Sequence, residues 1–169
     1  MNLERLLPRL EGALRAERDG FTFYTTAAEQ GEDPAAKEVF GHLADEERRH
    51  FEALQLEYRQ LLEGSAWDGS VTLGERWTPP EAGGIFSADF RRRIAGRHLE
   101  MSALSIGILL EKDAEAFYRA AAAEETDAQI RAFLLELADW EAGHLQMLMR
   151  EDELLRDEYW NENRFSPLL

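Results

Sequence analysis

The chain contains no cysteine. That excludes disulfides, zinc ribbons, iron–sulfur clusters and covalent c-type haem attachment, and it fits the cytosol. Proline is scarce, with 5 in 169 residues, while Ala, Leu, Glu and Arg dominate, so helices are favoured. Basic charge is also short: 19 Lys and Arg against 34 Asp and Glu give a net charge of −15. A nucleic-acid partner needs a basic surface and is therefore not expected. A soluble protein that attracts cations is. No apolar run approaches the length of a membrane span, and the first residues, MNLERLLPRLEGALRAE, carry no signal-peptide core. No membrane partner is expected either.

What is present is helical periodicity. Leu10, Leu14, Glu17, Phe21, Tyr24 and Ala28 recur at alternating steps of four and three, a heptad-like stripe on a helix from about Leu3 to Gln30. Gly31 is read as its left-handed stop, and Asp33-Pro34 as the cap and first residue of helix 2. Helix 2 carries Ala36, Phe40, Leu43, Glu47, His50, Leu54 and Leu61. Helix 3 carries Leu104, Ile108, Glu111, Glu115, Tyr118 and Ala122; Thr126-x-x-Gln129 resembles a capping box for helix 4, with Ile130, Leu134, Leu137, Glu141, His144, Leu148 and Leu155. Between them, Trp67, Gly69, Trp77, Pro79-Pro80 and Gly83-Gly84 mark irregular structure. Ser87 then caps a short amphipathic helix through Arg97, with Arg91, Arg92, Arg93 and Arg97 expected in solvent.

The chain repeats itself. Leu43-Ala-Asp-Glu-Glu-Arg-Arg-His50 and Leu137-Ala-Asp-Trp-Glu-Ala-Gly-His144 share the phrase Leu-Ala-Asp-x-Glu-x-x-His. Glu17 to Glu111, Tyr24 to Tyr118, Glu47 to Glu141 and His50 to His144 are all separations of 94 residues. The expected fold is all-α: a four-helix bundle built from two duplicated helical hairpins, with a long crossover between helices 2 and 3. Residues 1–63 form the first hairpin, 64–101 the crossover, 102–158 the second hairpin and 159–169 a tail that packs back or docks on a partner. A helix of about 26 residues is roughly 39 Å long. A long crossover lets helix 3 start beside the start of helix 2, so that a twofold axis across the waist brings Glu47 toward Glu141.

Each apolar stripe is interrupted by charge at the same level. A carboxylate and an imidazole at i and i+3 share a helix face. Four carboxylates and two imidazoles would converge in one core layer, and burying an unpaired carboxylate costs several kcal/mol. No lysine or arginine lies on these stripes, since Arg15 and Arg18 sit beside Glu17 but off its stripe. Two divalent ions would balance the four carboxylates. The metal ligands are thus read as Glu17, Glu47, His50, Glu111, Glu141 and His144, with Glu47 and Glu141 bridging. Hard oxygen donors with two nitrogens suit iron or manganese better than structural zinc.

Other residues follow from the same layout. Tyr24 and Tyr118 lie seven residues past the terminal glutamates, as core aromatics or as hydrogen-bond donors to a ligand carboxylate. Glu115 has Phe21 as its repeat partner, so it is a fifth ligand, a proton carrier or a solvent-facing side chain. Asp45 and Asp139 recur and are candidates to orient the imidazoles. His42 and His98 read as surface residues, and Met101, Met147 and Met149 as packing.

Glu17, Glu47-x-x-His50, Glu111 with Tyr118, and Glu141-x-x-His144 resemble the ferritin-like superfamily and, within it, the rubrerythrin-like proteins. The resemblance spans all four helices. It implies two iron ions per chain (manganese is the alternative), a homodimer, and reduction of hydrogen peroxide or oxygen. Oxidation of ferrous iron for storage, a dimanganese catalase-like site and a purely structural metal are the other readings. Full rubrerythrins add a cysteine-ligated rubredoxin domain; here electrons would come from a separate carrier. They also carry a helix-3 glutamate three residues after the terminal ligand, where this chain has Ala114 followed by Glu115. The resemblance thus leaves Glu115, Tyr24 and Tyr118 as the candidate catalytic residues.

Overall fold

Two helical hairpins stand side by side. The computed structural model describes residues 3–78, 85–87, 90–91 and 98–162. Helix α1 spans Leu3–Gln30, α2 Pro34–Leu62, α3 His98–Glu124 and α4 Ala128–Glu162. The short turns between α1 and α2 and between α3 and α4 make each pair antiparallel. Asp33 caps α2 by accepting from Ala36 N at 2.9 Å, with Pro34 in the first turn. Its repeat partner Asp127 caps α4, accepting from Gln129 N at 3.0 Å and Ile130 N at 3.4 Å. The expected box from Thr126 is thus displaced by one residue, because the Asp127 carboxylate fills the cap. Gly31 ends α1 through its N–H on the Ala27 carbonyl at 3.0 Å, without a positive φ. Among the described residues, Gly64 (φ 81°) and Gly74 (φ 87°) hold the left-handed conformation. Helix α3 starts at His98, four residues before the expected start, and α4 continues through Glu162.

Contacts between the hairpins fix their directions. Glu17 meets Tyr118 and Tyr24 meets Glu111, so α1 and α3 are antiparallel. His50 meets Glu141, and His144 meets Glu46 and Glu47, so α2 and α4 are antiparallel too. It follows that α2 and α3 run the same way. The segment between them returns along the seam of α2 and α4. Trp67 packs edge-on against Phe133, Asp68 N donates to Glu57 at 3.0 Å, and Arg49 donates to the Glu75 carbonyl at 3.0 Å. Further along, Trp77 stacks on His42 at 4.3 Å, and Ser87 bonds Asp33 at the start of α2. His42 is therefore covered by an indole rather than free on the surface.

Two buried glutamates at equivalent repeat positions anchor this return. Glu57 takes Asp68 N, and Glu151 takes Ile85 N at 2.7 Å and Phe86 N at 3.2 Å. Ser87 receives Phe90 N on its hydroxyl at 3.1 Å and Arg91 N on its carbonyl at 3.0 Å, as a cap does. Arg91 is not free in solvent: it lies against Glu158 at 3.4 Å and Glu151 at 3.9 Å. Arg92, Arg93 and Arg97, and the side chains of His98 and of 159–169, lie outside the described residues. Among the described residues no helix is long and apolar enough to cross a membrane. Met101 and Met147, half-buried, pack against the core, but Met149 is exposed.

The apolar core is split in two. One cluster gathers Leu10, Leu54, Leu61, Ile130, Leu134 and Leu137; the other gathers Phe40, Leu43, Leu104, Leu148 and Leu155. Between them, on all four helices, lies one polar layer.

Candidate metal centre

The layer is made by the six residues that interrupt the apolar stripes. Glu17, Glu47, His50, Glu111, Glu141 and His144 are each at most 4% exposed. Their donor atoms form two groups, each drawn within 4.8 Å: Glu17, Glu47, His50 and Glu141, and Glu47, Glu111, Glu141 and His144. Glu47 and Glu141 belong to both. His50 Nδ1 faces Glu17 and Glu141 at 3.3 Å each. His144 Nδ1 faces Glu47 and Glu111 at 3.4 Å and Glu141 at 3.6 Å. The imidazoles lie nearly parallel, 6.1 Å apart.

The donor set fits metal. Six buried polar atoms in the layer have no hydrogen-bond partner among the described residues: Glu17 Oε2, Glu47 Oε1, His50 Nδ1 and Nε2, Glu141 Oε1 and His144 Nδ1. Buried polar groups are otherwise paired almost without exception. Five of the six point into the shared space, where divalent ions would satisfy them. The residues that would hold two ions are therefore Glu17 with His50, Glu111 with His144, and Glu47 and Glu141 between.

Without metal, the layer balances its charge by moving protons. Burial, reinforced by Glu141, Glu17 and Glu111, pushes Glu47 well above the usual carboxylate range. Burial also raises Glu111, to about 8. Burial opposes charge on His50, but the Glu141 and Glu17 carboxylates facing its ring outweigh it and raise its pKa to about 9. His144 rises by the same competition, with Glu111 the chief opposing charge. Burial would raise Glu141, yet the two imidazoles hold it well below normal. Carboxylates and imidazoles thus share protons across one buried layer.

Both tyrosines engage the layer, each from the opposite hairpin. Tyr24 donates to Glu111 and Tyr118 to Glu17, and both phenols are fully buried. Burial and the partner glutamate push each phenol well above its usual pKa, so each keeps its proton.

Glu115 does not join the layer. Its carboxylate accepts from Arg119 Nε at 2.8 Å, a turn further along the outer face of α3. Its place in the sequence stripe is deceptive because four residues turn a helix by more than a full circle, and the layer is already closed by Tyr118 and Glu111. Asp45 and Asp139 do not orient the imidazoles; they are exposed and pair with Arg48 at 3.5 Å and Arg119 at 3.3 Å. The residue that holds an imidazole is Glu46, which accepts from His144 Nε2 at 2.8 Å. Burial would raise Glu46, but His144 and Trp77 N hold it below normal. Its repeat partner Trp140 packs edge-on against His50, at 4.9 Å, under the Arg76 guanidinium at 4.7 Å. The sequence signal was there: positions 46 and 140 are the first of the three variable letters of the repeated phrase.

Two glycines make room for these contacts. A Cβ at Gly20 would lie 3.2 Å from Glu47 Oε2, and one at Gly143 would lie 3.0 Å from the Arg76 guanidinium.

A family model described as Rubrerythrin matches residues 9–152, which takes in all six candidate ligands and both tyrosines. Comparisons with curated proteins and with solved structures give no match.

Proposed function

The chain belongs to the rubrerythrin family, and from that premise we propose that it is a di-iron oxidoreductase that reduces hydrogen peroxide. The observation that carries this reading is the pair of overlapping ligand groups sharing Glu47 and Glu141. Iron, when bound, supplies the two electrons that O–O cleavage consumes. Peroxide, two electrons and two protons give two waters. These 169 residues hold no cysteine for an electron-transfer centre of the rubredoxin kind, and the reading takes the electrons from a separate carrier.

The protein's own part is positional. Glu47 and Glu141 would each serve both ions, and Tyr24 and Tyr118 hold the end carboxylates. Each phenol donates from Oη to the end carboxylate of the opposite hairpin. The test is metal content of purified protein, then rapid mixing of the ferrous form with peroxide and with oxygen. Fast oxidation by peroxide and slow oxidation by oxygen is expected. Indifference to both would overturn the reading, and manganese in the native protein would replace iron.

A ferroxidase that feeds iron storage is the second reading. The net charge of −15 favours it, since an acidic surface concentrates ferrous ions. It requires a cage. A particle that never holds more than the two ions of the centre per chain would exclude it.

A further inference from the structure

The two candidate ion positions are related by the repeat, yet their surroundings are not. Position 46 precedes one shared glutamate and position 140 precedes the other. Glu46 accepts from His144 Nε2 at 2.8 Å, and is itself held by Trp77 N at 2.6 Å and Arg49 at 3.4 Å. That contact leaves His144 Nδ1 facing Glu47, Glu111 and Glu141. At the equivalent place His50 meets the edge of the Trp140 indole, and its Nε2 has no hydrogen-bond partner among the described residues. Arg76 lies on the Trp140 face, where its charge gives His50 no acceptor.

A carboxylate behind a ligating imidazole fixes the tautomer and ring orientation and makes the ring a stronger donor; losing such a partner costs about 10–100-fold in metal affinity. Only one of the two imidazoles has this support. Resting on the di-metal reading above, we infer that the two positions are unequal: the ion held by His144 is bound tightly, and the ion held by His50 is the exchangeable one. Glu46 is the positioning residue that creates the difference. Glu17, His50 and the indole edge of Trp140 then form the side through which an ion is lost or regained.

The experiment is stepwise titration of the full chain with Mn(II) or Co(II) against a competing chelator. Two binding steps separated by at least about 10-fold are expected. His50→Ala removes the weaker step and keeps the tighter; His144→Ala removes the tighter. Glu46→Gln weakens the tighter step about 10-fold and leaves the weaker unchanged, a split that a general structural role for Glu46 would not give. Trp140→Phe keeps the gap. The wild-type and histidine titrations decide the matter even if Glu46→Gln misfolds. Two equal steps, or loss of the tighter step in His50→Ala, overturn the inequality while leaving the di-metal reading intact. Absence of any binding overturns both.

Discussion

Tyr24 donates its phenolic proton to Glu111 on α3, not to Glu17 on its own helix. Tyr118 does the reverse, donating to Glu17 on α1. The phenols thereby bind the two hairpins together at the level of the ligands, and each supports the carboxylate of the other repeat.

Tyr118→Phe is expected to weaken the ion position of Glu17 and His50, and Tyr24→Phe that of Glu111 and His144, by about 10-fold each. Two ions per chain should still bind at high metal. Chelator competition on the purified variants measures this. Unchanged affinities would mean that the phenols serve the core alone.

Glu47→Gln should separate stability from metal binding. Glu47 lies against three other carboxylates in a buried layer and takes up a proton to do so. A neutral amide removes that requirement, so the metal-free variant should melt higher than metal-free wild type, by about 3 °C or more. The same variant should hold at most one ion. Calorimetric melts of chelated protein, with metal analysis beside them, give both results.

The metal-free protein should lose stability as pH rises. Glu111 is raised to about 8 from an ordinary 4.5, and His50 to about 9 from an ordinary 6.5. A raised folded pKa gives stability that is complete below the unfolded value and lost as pH climbs through the folded one. Both groups therefore act in the same direction between about pH 4.5 and 9. Chelated protein should melt at least about 5 °C lower at pH 9 than at pH 6. Metal-loaded protein should not follow that trend, since ligands lose protons on binding and affinity rises with pH.

Glu151→Ala strips the acceptor from two backbone N–H groups, Ile85 and Phe86, both in buried residues. The cost should be about 2–4 kcal/mol in denaturant unfolding. Glu57→Ala strips one, from Asp68, and should cost about 1–3 kcal/mol. Neither residue touches the ligand layer, so metal stoichiometry should stay at the wild-type value in both.

Glu115→Gln should change neither metal content nor reaction with peroxide. Its carboxylate is paired with Arg119 on the outer face, and exposed pairs of this kind contribute little. The melting temperature should stay within about 1 °C of wild type. A loss of metal in this variant would return Glu115 to the site.

The helices, their direction within each hairpin and the six-residue layer were legible in the chain because each rests on local periodicity. Charge at one level in all four apolar stripes, with no basic residue to neutralise it, leaves few arrangements other than a shared polar layer. The offset of 94 residues alone pairs Glu47 with Glu141. Spacing left Glu115 open between ligand, proton carrier and solvent-facing side chain, because a residue four positions from a ligand lies close to its face without sharing it. The return segment was legible only as an interruption of helix; which helices it follows depends on Glu151 and Asp33, whose carboxylates bond backbone far away in sequence.

The sequence by itself determined that the protein is a duplicated bundle with a buried acidic and imidazole layer, because hydrophobic period and the cost of buried charge are properties of residue type and spacing. Only the tertiary structure decided how that layer is supported. Tyr24 and Tyr118 exchange partners, Glu46 rather than Asp45 reaches His144, and Trp140 faces His50. Those contacts join residues roughly 90 to 100 positions apart. A one-residue rotation about a helix, about 100°, decides whether a carboxylate meets an imidazole or solvent. Spacing places Asp45 and Glu46 equally near the site; packing of α2 against α4 chooses between them.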